Sequence, residues 1–331
     1  MMPPNKKSHH YVPQAYLRSF CDADGRVHVY RKDDPAKELR LAPQNAAIRK
    51  YYYSQPTPSG EFNHDALEDV FSVVESDWPG IIDGFRSGRN MNAHLKAIAS
   101  FMVLQRVRVP AFRDAVERQL AAGVKAEMQI VISSGDFPEL RVCKRELLDC
   151  VDIAIDPHQS IHAMILLMKG IGRLIDSIGL VVVRNDTKVP FISSDNPVSW
   201  YDPSLPEEEI RPYGIMLDGH IELLFPIAPD LLILGDSCDR DRFVRHGLAY
   251  TTPRDEDAVR TINSRIARFG YEAVFADRSG FSDVVQECSD VSPILETYVI
   301  GAGKGAYIYS CFAFGKRVKK PKWNEKQRPR P

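Results

Sequence analysis

The residues best suited to chemistry stand near the start of this 331-residue chain, where His9 and His10 are adjacent and Gln14 follows. Histidine is the side chain most readily used for proton transfer or metal ligation near neutral pH. Chain ends are usually frayed unless something holds them down, and Leu17 and Phe20 supply apolar anchors here. We therefore expect this segment to dock and to carry its histidines into the body of the protein.

A second polar group occupies residues 193–196, Ser-Ser-Asp-Asn, between an apolar segment and Pro197. Proline holds Asn196 extended and offers no N–H, so a strand should end there. Polar side chains beyond the end of a buried strand often build a site, which makes Asp195 and Asn196 candidates. The equally weighted alternative is an Asx turn, in which the Asp195 carboxylate bonds to its own backbone.

Gln105 and Arg108 fall within the apolar stripe of one predicted helix. A buried amide and a buried guanidinium cost several kcal/mol unless they are paired. Glu68 and Glu75 are two helical turns apart on an earlier predicted helix and are the expected carboxylate partners. Two interpretations stay open: an internal ion-pair network, which the pattern slightly favours, and a polar cavity that forms a site.

His158 and His162 are four positions apart on a further predicted helix, a spacing that can chelate a metal ion. No glutamate lies between them and no third ligand stands nearby, so the signal is weak. We expect His158 to lie in the first turn of that helix and to be exposed to solvent.

The composition, with 44% hydrophobic and 26% charged residues, is typical of a soluble globular protein. No apolar run reaches the roughly 18 residues that a membrane-spanning helix needs, and no apolar signal region follows the N-terminus. We therefore expect a cytoplasmic protein. The six cysteines include no Cys-x-x-Cys pair, which argues against a disulfide framework and against a structural zinc site.

The net charge of −1 hides a basic end, because residues 316–331 contain eight Lys or Arg and only one Glu. Such a segment, with three prolines, is expected to be a disordered tail. One interpretation is a solubilising end. The other is a partner-binding arm that contacts nucleic acid through the residues Lys316, Arg317, Lys319, Lys320 and Lys322.

The apolar periodicity predicts helices first and most of the strands afterwards. The predicted helices cover 63–85 (interrupted at Pro79), 92–121 (kinked at Pro110), 124–132, 138–151, 157–178 and 255–268. The predicted strands cover 27–31, 51–53, 180–183, 190–192, 221–225, 231–234, 272–276 and 296–300. Strands that follow a helical block favour an α+β fold. We expect a single domain over 1–315, in which the N-terminal segment and a helical block (about 61–178) pack on one mixed or antiparallel sheet (about 179–315).

Taken together, the motifs resemble a bacterial family catalogued as domain of unknown function 4238. The similar segments are HYVPQAYLRSF over residues 10–20, LE at 67–68 with Glu75, QRVRVP over 105–110 and FISSDNPV over 191–198. The resemblance extends over roughly residues 8–276 and implies no assigned activity. It does imply that the polar candidates share one place, namely His9, His10, Gln14, Glu68, Gln105, Arg108, Asp195 and Asn196.

This inventory favours a hydrolase of phosphodiester or similar bonds, such as a nuclease. A histidine would act as general base, the amide and guanidinium would stabilise an anionic transition state, and a divalent ion would assist. The catalytic candidates are His9, His10, Gln14, Gln105, Arg108, Asp195 and Asn196, and the candidate ligands for Mg²⁺ or Mn²⁺ are His10, Glu68 and Asp195. The alternatives are a non-catalytic module that binds a nucleotide or nucleic acid, and a purely structural buried network.

Overall fold

The computed structural model of this protein describes residues 8–57, 59, 61–134, 150–214, 219–303, 305–318 and 321. In this part the helices are α1 (Gln14–Leu17), α2 (Ala66–Glu75), α3 (Trp78–Arg86), α4 (Leu95–Arg108), α5 (Pro110–Ser134), α6 (Pro157–Asp176), α7 (Arg240–His246), α8 (Glu256–Phe269) and α9 (Ser282–Glu287). The predicted α+β class is confirmed. Within the described residues, no helix is both long enough and apolar enough to cross a bilayer.

The strands are short except for the last two. They are β1 (Ser8–His10), β2 (Val27–Arg31), β3 (Asp34–Leu41), β4 (Ile48–Lys50), β5 (Gln55–Pro56), β6 (Phe62–Asn63), β7 (Gly179–Arg184), β8 (Ser193–Ser194), β9 (Ser199–Tyr201), β10 (Glu222–Ala228), β11 (Leu231–Asp236), β12 (Ala249–Thr251), β13 (Ala273–Ala276), β14 (Ser292–Ala302) and β15 (Gly305–Gly315).

Proline divides the helical block. Pro79 lies in the first turn of α3, where its missing N–H has no intrahelical partner, so the predicted interrupted helix is two helices. Val109 is extended (φ −78°, ψ 154°) because it precedes Pro110, and this separates α4 from α5 instead of only kinking one helix. The predicted helix over 138–151 falls almost wholly outside the described residues.

α4 is the central helix of the core. Every residue from 101 to 113 is buried, across the end of α4 and the start of α5. The Phe101 ring stacks on Trp78 of α3 with centroids 3.8 Å apart. Since α4 has no solvent face at this level, the only hydrogen-bond partners within reach of its polar residues lie inside the protein.

Among the described residues, the strands of the second half belong to three sheets and not to the single predicted one, and the third is the β14–β15 hairpin. The first has the order β12-β7-β11-β10-β9 and is antiparallel except for the β12–β7 pair. The second is antiparallel with the order β3-β2-β13-β8, so β13 pairs with β2 on one side and with β8 on the other. The expectation of one sheet was wrong because β13 pairs with β2, far away in the chain, and not with β7–β11.

The predicted strand over 51–53 was also wrong. Those residues form a turn, with Tyr51 in the left-handed region (φ 56°), and the strand is β4, directly before them. β4 pairs antiparallel with β1, from Ser8 opposite Lys50 to His10 opposite Ile48. This pairing places the two N-terminal histidines within a two-stranded sheet.

The N-terminal segment docks as expected. Tyr16, Leu17 and Phe20 are fully buried. The Tyr16 ring stacks on Phe225 of β10 at 5.8 Å between centroids. Its hydroxyl hydrogen-bonds with Ser193 Oγ at 2.6 Å and donates to the Pro226 carbonyl. The N-terminal motif (residues 10–20) therefore contacts the Ser-Ser-Asp-Asn motif (residues 193–196) directly.

Candidate functional site

The two N-terminal histidines have different surroundings. His9 is fully buried, its Nδ1 accepts a hydrogen bond from the Tyr53 backbone N–H at 2.7 Å, and the two rings stack. His10 is partly exposed, with Nε2 3.3 Å from the Gln44 carbonyl, and burial lowers its pKa. Gln14, also partly exposed, is the first residue of α1. The position of His9 makes it a support for the turn after β4.

Arg108 is buried and paired, as its position on α4 predicts. Its guanidinium bonds to the Glu75 carboxylate and donates to the carbonyl of His10. Its Nε donates to the Tyr53 hydroxyl at 3.3 Å, and that hydroxyl donates to the Arg108 carbonyl at 3.1 Å. Three segments of the chain are therefore joined at this one side chain.

The neighbouring polar residues of α4 are enclosed as well. Gln105 is fully buried, and neither of its amide atoms has a hydrogen-bond partner among the described residues. Arg106 lies 3.7 Å from the centroid of the Tyr213 ring, and Phe112 and Trp200 complete an aromatic box around it. Burial lowers the pKa of Arg106. Burial therefore disfavours the charged form of Arg106, and the π faces of the three rings oppose this effect by stabilising the positive charge.

Asp195 is fully buried and holds two backbone groups. One carboxylate oxygen accepts from the N–H of Tyr271 and the other from the N–H of Glu272, each at 2.7 Å. Burial, with a smaller contribution from the Glu272 charge, raises the pKa of Asp195 to about 6. The carboxylate does not form the Asx turn that was the alternative for this position, but bonds to the residues that lead from α8 into β13.

Asn196 makes a similar long-range connection. Its amide nitrogen donates to the Tyr213 hydroxyl at 2.5 Å and to the carbonyl of Phe269 at 2.8 Å. With the bonds of Ser193 and Asp195, residues 193–196 contact the N-terminal segment, the end of α8 and the start of β13. The polar residues of this motif therefore hold secondary-structure elements together.

The three predicted metal ligands do not assemble into a centre. Among the described residues, the set of three ligand atoms that all lie within 4.8 Å of one another belongs to other residues, His220, Asp236 and Cys238. His10, Glu68 and Asp195 form no such set. Both Asp195 oxygens already accept backbone N–H groups, and Glu68 lies in the first turn of α2.

A cavity of about 560 Å³ lies elsewhere, between the β5–β6 hairpin, α5 and the start of α6. Its volume suits a small ligand or one residue of a polymer. It is lined by Arg49, Lys50, Tyr51, Tyr52, Ser54, Phe62, His64, Arg113, Glu117, Pro157 and His158. Three of these side chains are cationic and one is acidic, so the cavity favours an anion.

Ser54 and His64 form a hydrogen-bonded pair in this cavity, with Ser54 Oγ 2.6 Å from His64 Nδ1. The hairpin register explains the pair. Gln55 stands opposite Asn63, and Pro56 stands opposite Phe62. Continuing the same antiparallel register by one step brings Ser54 opposite His64. A hydroxyl within hydrogen-bond reach of an imidazole is the arrangement that activates a serine nucleophile.

A second imidazole lies close to this pair. Phe62 lies between two histidines, with ring centroids 6.2 Å from His64 and 5.7 Å from His158. His158 Nδ1 is 3.5 Å from the Gln55 amide nitrogen. The Asp156 side chain caps α6 by accepting the His158 N–H at 3.1 Å. His158 is in the first turn, as predicted, but it lines the cavity and is not exposed.

Arg113 brings a buried positive charge to the cavity wall. Its three nitrogens donate to the Ser160 hydroxyl, the Tyr52 carbonyl and the Pro157 carbonyl at 2.5–3.0 Å. These acceptors are uncharged, so they position the guanidinium without neutralising it. Arg49, in contrast, is bonded to Glu272 at 2.6 Å.

Residues 8–280 match the model of a family described as protein of unknown function (DUF4238). The chain belongs to this family. The matched region contains the two motifs that meet at Tyr16 and Ser193, and it also contains Ser54, His64 and His158. Comparisons with curated proteins and with solved structures gave no match. The family description assigns no activity, so the chemistry has to be argued from the cavity itself.

Proposed function

We propose that this protein is a hydrolase of phosphodiester or similar anionic ester bonds, and that it acts in the cavity around Ser54 and His64. The observation that carries the proposal is the 2.6 Å hydrogen bond between Ser54 Oγ and His64 Nδ1. It lies in a cavity whose wall includes the cationic side chains of Arg49, Lys50 and Arg113.

In the first half of the reaction, Ser54 Oγ attacks phosphorus and forms a new O–P bond. His64 Nδ1 takes the serine proton, as a general base does. The bond from phosphorus to the leaving oxygen breaks, and His158 donates the proton that this oxygen needs. The products of this half are a free alcohol and a phosphorylated serine.

In the second half, water attacks the phosphoryl group and the Ser54 O–P bond breaks. His158, now neutral, takes the proton of the water, and His64 returns its proton to Ser54 Oγ. Both imidazoles and the serine are thereby restored. The cationic side chains stabilise the charge that develops on the phosphoryl oxygens in each half.

The proposal is tested by turnover of three aryl esters, a phosphodiester, a phosphomonoester and a carboxylic ester, each assayed with EDTA, Mg²⁺ or Mn²⁺. We expect the phosphodiester to be cleaved fastest, because the cavity is cationic. Removal of the base in His64→Gln should lower its turnover about a hundredfold or more. Failure of the folded wild-type protein to cleave any ester would refute the hydrolase.

Two matched variants control for general effects of substitution. His246→Gln changes an exposed histidine at the end of α7, and Ser72→Ala removes an exposed hydroxyl of α2 that bonds only to a carbonyl in its own helix. Neither residue lines the cavity. Both variants should retain wild-type turnover.

A second candidate function, binding of single-stranded nucleic acid, is supported by the β14–β15 hairpin. Tyr298 pairs with Tyr309 and Ile300 pairs with Tyr307, so the four side chains share one face. All four are more than half exposed. Exposed aromatic rings next to a basic segment suit bases that stack and phosphates that pair with cations.

The predicted basic arm begins where this hairpin ends. Lys316 and Arg317 follow β15 directly, while Lys319, Lys320 and Lys322 lie outside the described residues. A cavity beside the hairpin is lined by Tyr298, Tyr309 and Glu117, and Glu117 also lines the cavity around Ser54. A strand bound along the hairpin would therefore have a path toward the proposed reaction centre.

A further inference from the structure

Three donor side chains meet at one end of β10 and β11, which are inner strands of the five-stranded sheet. His220 precedes β10, Asp236 ends β11, and Cys238 lies in the turn before α7. Their ligand atoms all lie within 4.8 Å of one another. His220 Nε2 is 2.8 Å from Asp236 Oδ1, which means that two of the three donors already converge.

The backbone around these residues holds them in place. The Ile221 N–H donates to Ser237 Oγ, and the Ser237 N–H donates to the Ile221 carbonyl, both at 3.0 Å. The Cys238 N–H donates to Asp236 Oδ1 at 2.7 Å. These bonds link the segment that carries His220 to the turn that carries the other two donors. The three side chains are therefore presented by a connected frame, as a binding site requires.

The site is accessible from solvent. The side chains of His220 and Asp236 are about a third and a quarter exposed, and Cys238 is exposed. Glu222 stands opposite Asp236 in the β10–β11 register, so a second carboxylate lies on the same side of the sheet, where it pairs with Arg265 at 3.3 Å. The three donors therefore have to bind the cation themselves.

We propose that His220, Asp236 and Cys238 bind a divalent transition-metal ion of the zinc class. Imidazole, carboxylate and thiolate are the three protein donors that zinc uses, and a thiolate disfavours Mg²⁺ and Ca²⁺. Three protein ligands leave a fourth position for water. None of the three residues lines the cavity around Ser54, so the ion is independent of the proposed hydrolysis.

Binding requires proton movements that balance. The Cys238 thiol loses its proton to solvent as the metal–sulfur bond forms. The proton between His220 Nε2 and Asp236 Oδ1 also leaves to solvent, and the metal takes its place between the two atoms. Nδ1 then carries the one proton of the neutral imidazole. Ligand atoms about 2.0–2.3 Å from one ion must stand further apart than a hydrogen bond, so the 2.8 Å contact opens slightly.

The test is a titration of the full chain with Co²⁺, which reports thiolate ligation by a charge-transfer band, followed by displacement with Zn²⁺. We expect one equivalent of Co²⁺ to produce the band and Zn²⁺ to abolish it. Cys238→Ser should lose the band, while Cys150→Ser, which changes another exposed cysteine, should keep it. His220→Gln and Asp236→Asn should weaken Zn²⁺ binding about tenfold or more.

Thermal unfolding provides a second measurement of metal binding that does not depend on the spectroscopic band. Zn²⁺ should raise the Tm of the wild-type chain and of Cys150→Ser but not that of Cys238→Ser, because an ion that binds only the folded state stabilises it. A wild-type chain that binds no Co²⁺ would overturn the proposal. A band that persists in Cys238→Ser, or Zn²⁺ affinity unchanged in both His220→Gln and Asp236→Asn, would also overturn it.

Discussion

The Tyr16 hydroxyl lies 2.6 Å from Ser193 Oγ, in a contact that is fully buried and that joins the two halves of the chain. The same hydroxyl donates to the carbonyl of Pro226. The N-terminal motif and the Ser-Ser-Asp-Asn motif are thus neighbours. The two motifs meet at a hydrogen bond within the core. The proposed reacting groups, Ser54 and His64, lie in a separate cavity.

Replacing Tyr16 by Phe should lower the free energy of unfolding by roughly 1–3 kcal/mol, because it leaves the buried Pro226 carbonyl without its donor and the buried Ser193 hydroxyl without its acceptor. Urea unfolding measures this loss. Tyr250→Phe is the matched control, since Tyr250 is exposed and its hydroxyl makes one long bond to the Arg89 carbonyl. Equal losses in the two variants would contradict a structural role for the buried bond.

Arg108→Met should destabilise the protein by about 3–5 kcal/mol, because it leaves the Glu75 carboxylate and the His10 carbonyl without their donor. Arg86→Met, which breaks an exposed pair with Asp230, should cost about 1 kcal/mol or less. Chemical denaturation compares the two variants. A small loss in Arg108→Met would show that the ion pair contributes little to folding.

Asp195→Asn should also be destabilising near neutral pH. An amide offers one acceptor oxygen where the carboxylate offers two, so one of the N–H groups of Tyr271 and Glu272 loses its partner. The expected loss is roughly 1–3 kcal/mol. Unchanged unfolding at pH 7 would contradict the role that we assign to this carboxylate.

The pH dependence of the same variant has a definite sign. The pKa of Asp195 is raised to about 6 in the folded protein, so the folded state holds this proton more tightly than the unfolded state. The resulting stabilisation is complete below the unfolded pKa of about 4 and is lost as pH rises through 6. The stability gap between wild type and Asp195→Asn should therefore be largest near pH 4 and shrink by pH 7. A gap that widens with rising pH would contradict the raised pKa.

Binding of single-stranded DNA or RNA tests the hairpin and the basic arm together. We expect affinity to fall steeply with salt, and deletion of residues 316–331 to reduce the slope by about 0.7 for each phosphate that the arm neutralises. Tyr307→Ala should weaken binding without changing that slope, because a stacked base releases no counterion. Binding that is insensitive to both changes would exclude this surface.

Much of the helical part was predictable from the sequence. Helical spacing of apolar residues marks α4 and α6, and proline rules explain the breaks before α3 and α5. The buried pairing of Arg108 followed from its place in an apolar stripe. The sequence did not show whether Arg108 would pair with Glu68 or with Glu75, because that depends on how α2 packs on α4.

The sheet partners and the Ser54–His64 pair were harder to predict. β13 pairs with β2 from the other end of the chain, and no local pattern encodes such a pairing. β5 and β6 have two residues each, too few to show alternation. Ser54 directly precedes β5 and His64 directly follows β6. A predicted hairpin between these two strands would therefore have placed the two residues opposite each other. Asp195 was ambiguous because its partners are backbone N–H groups, which residue types do not reveal.

The most direct test of the proposed hydrolase is to look for phosphoryl transfer to Ser54. Wild-type protein is mixed with an aryl phosphodiester, quenched in acid and analysed by peptide mass spectrometry. We predict a phosphoryl adduct on Ser54 that forms about a hundredfold or more slowly in His64→Gln and at the wild-type rate in His246→Gln. Turnover without an adduct on Ser54, or a Ser54→Ala variant that cleaves the substrate at the wild-type rate, would contradict the proposed reaction.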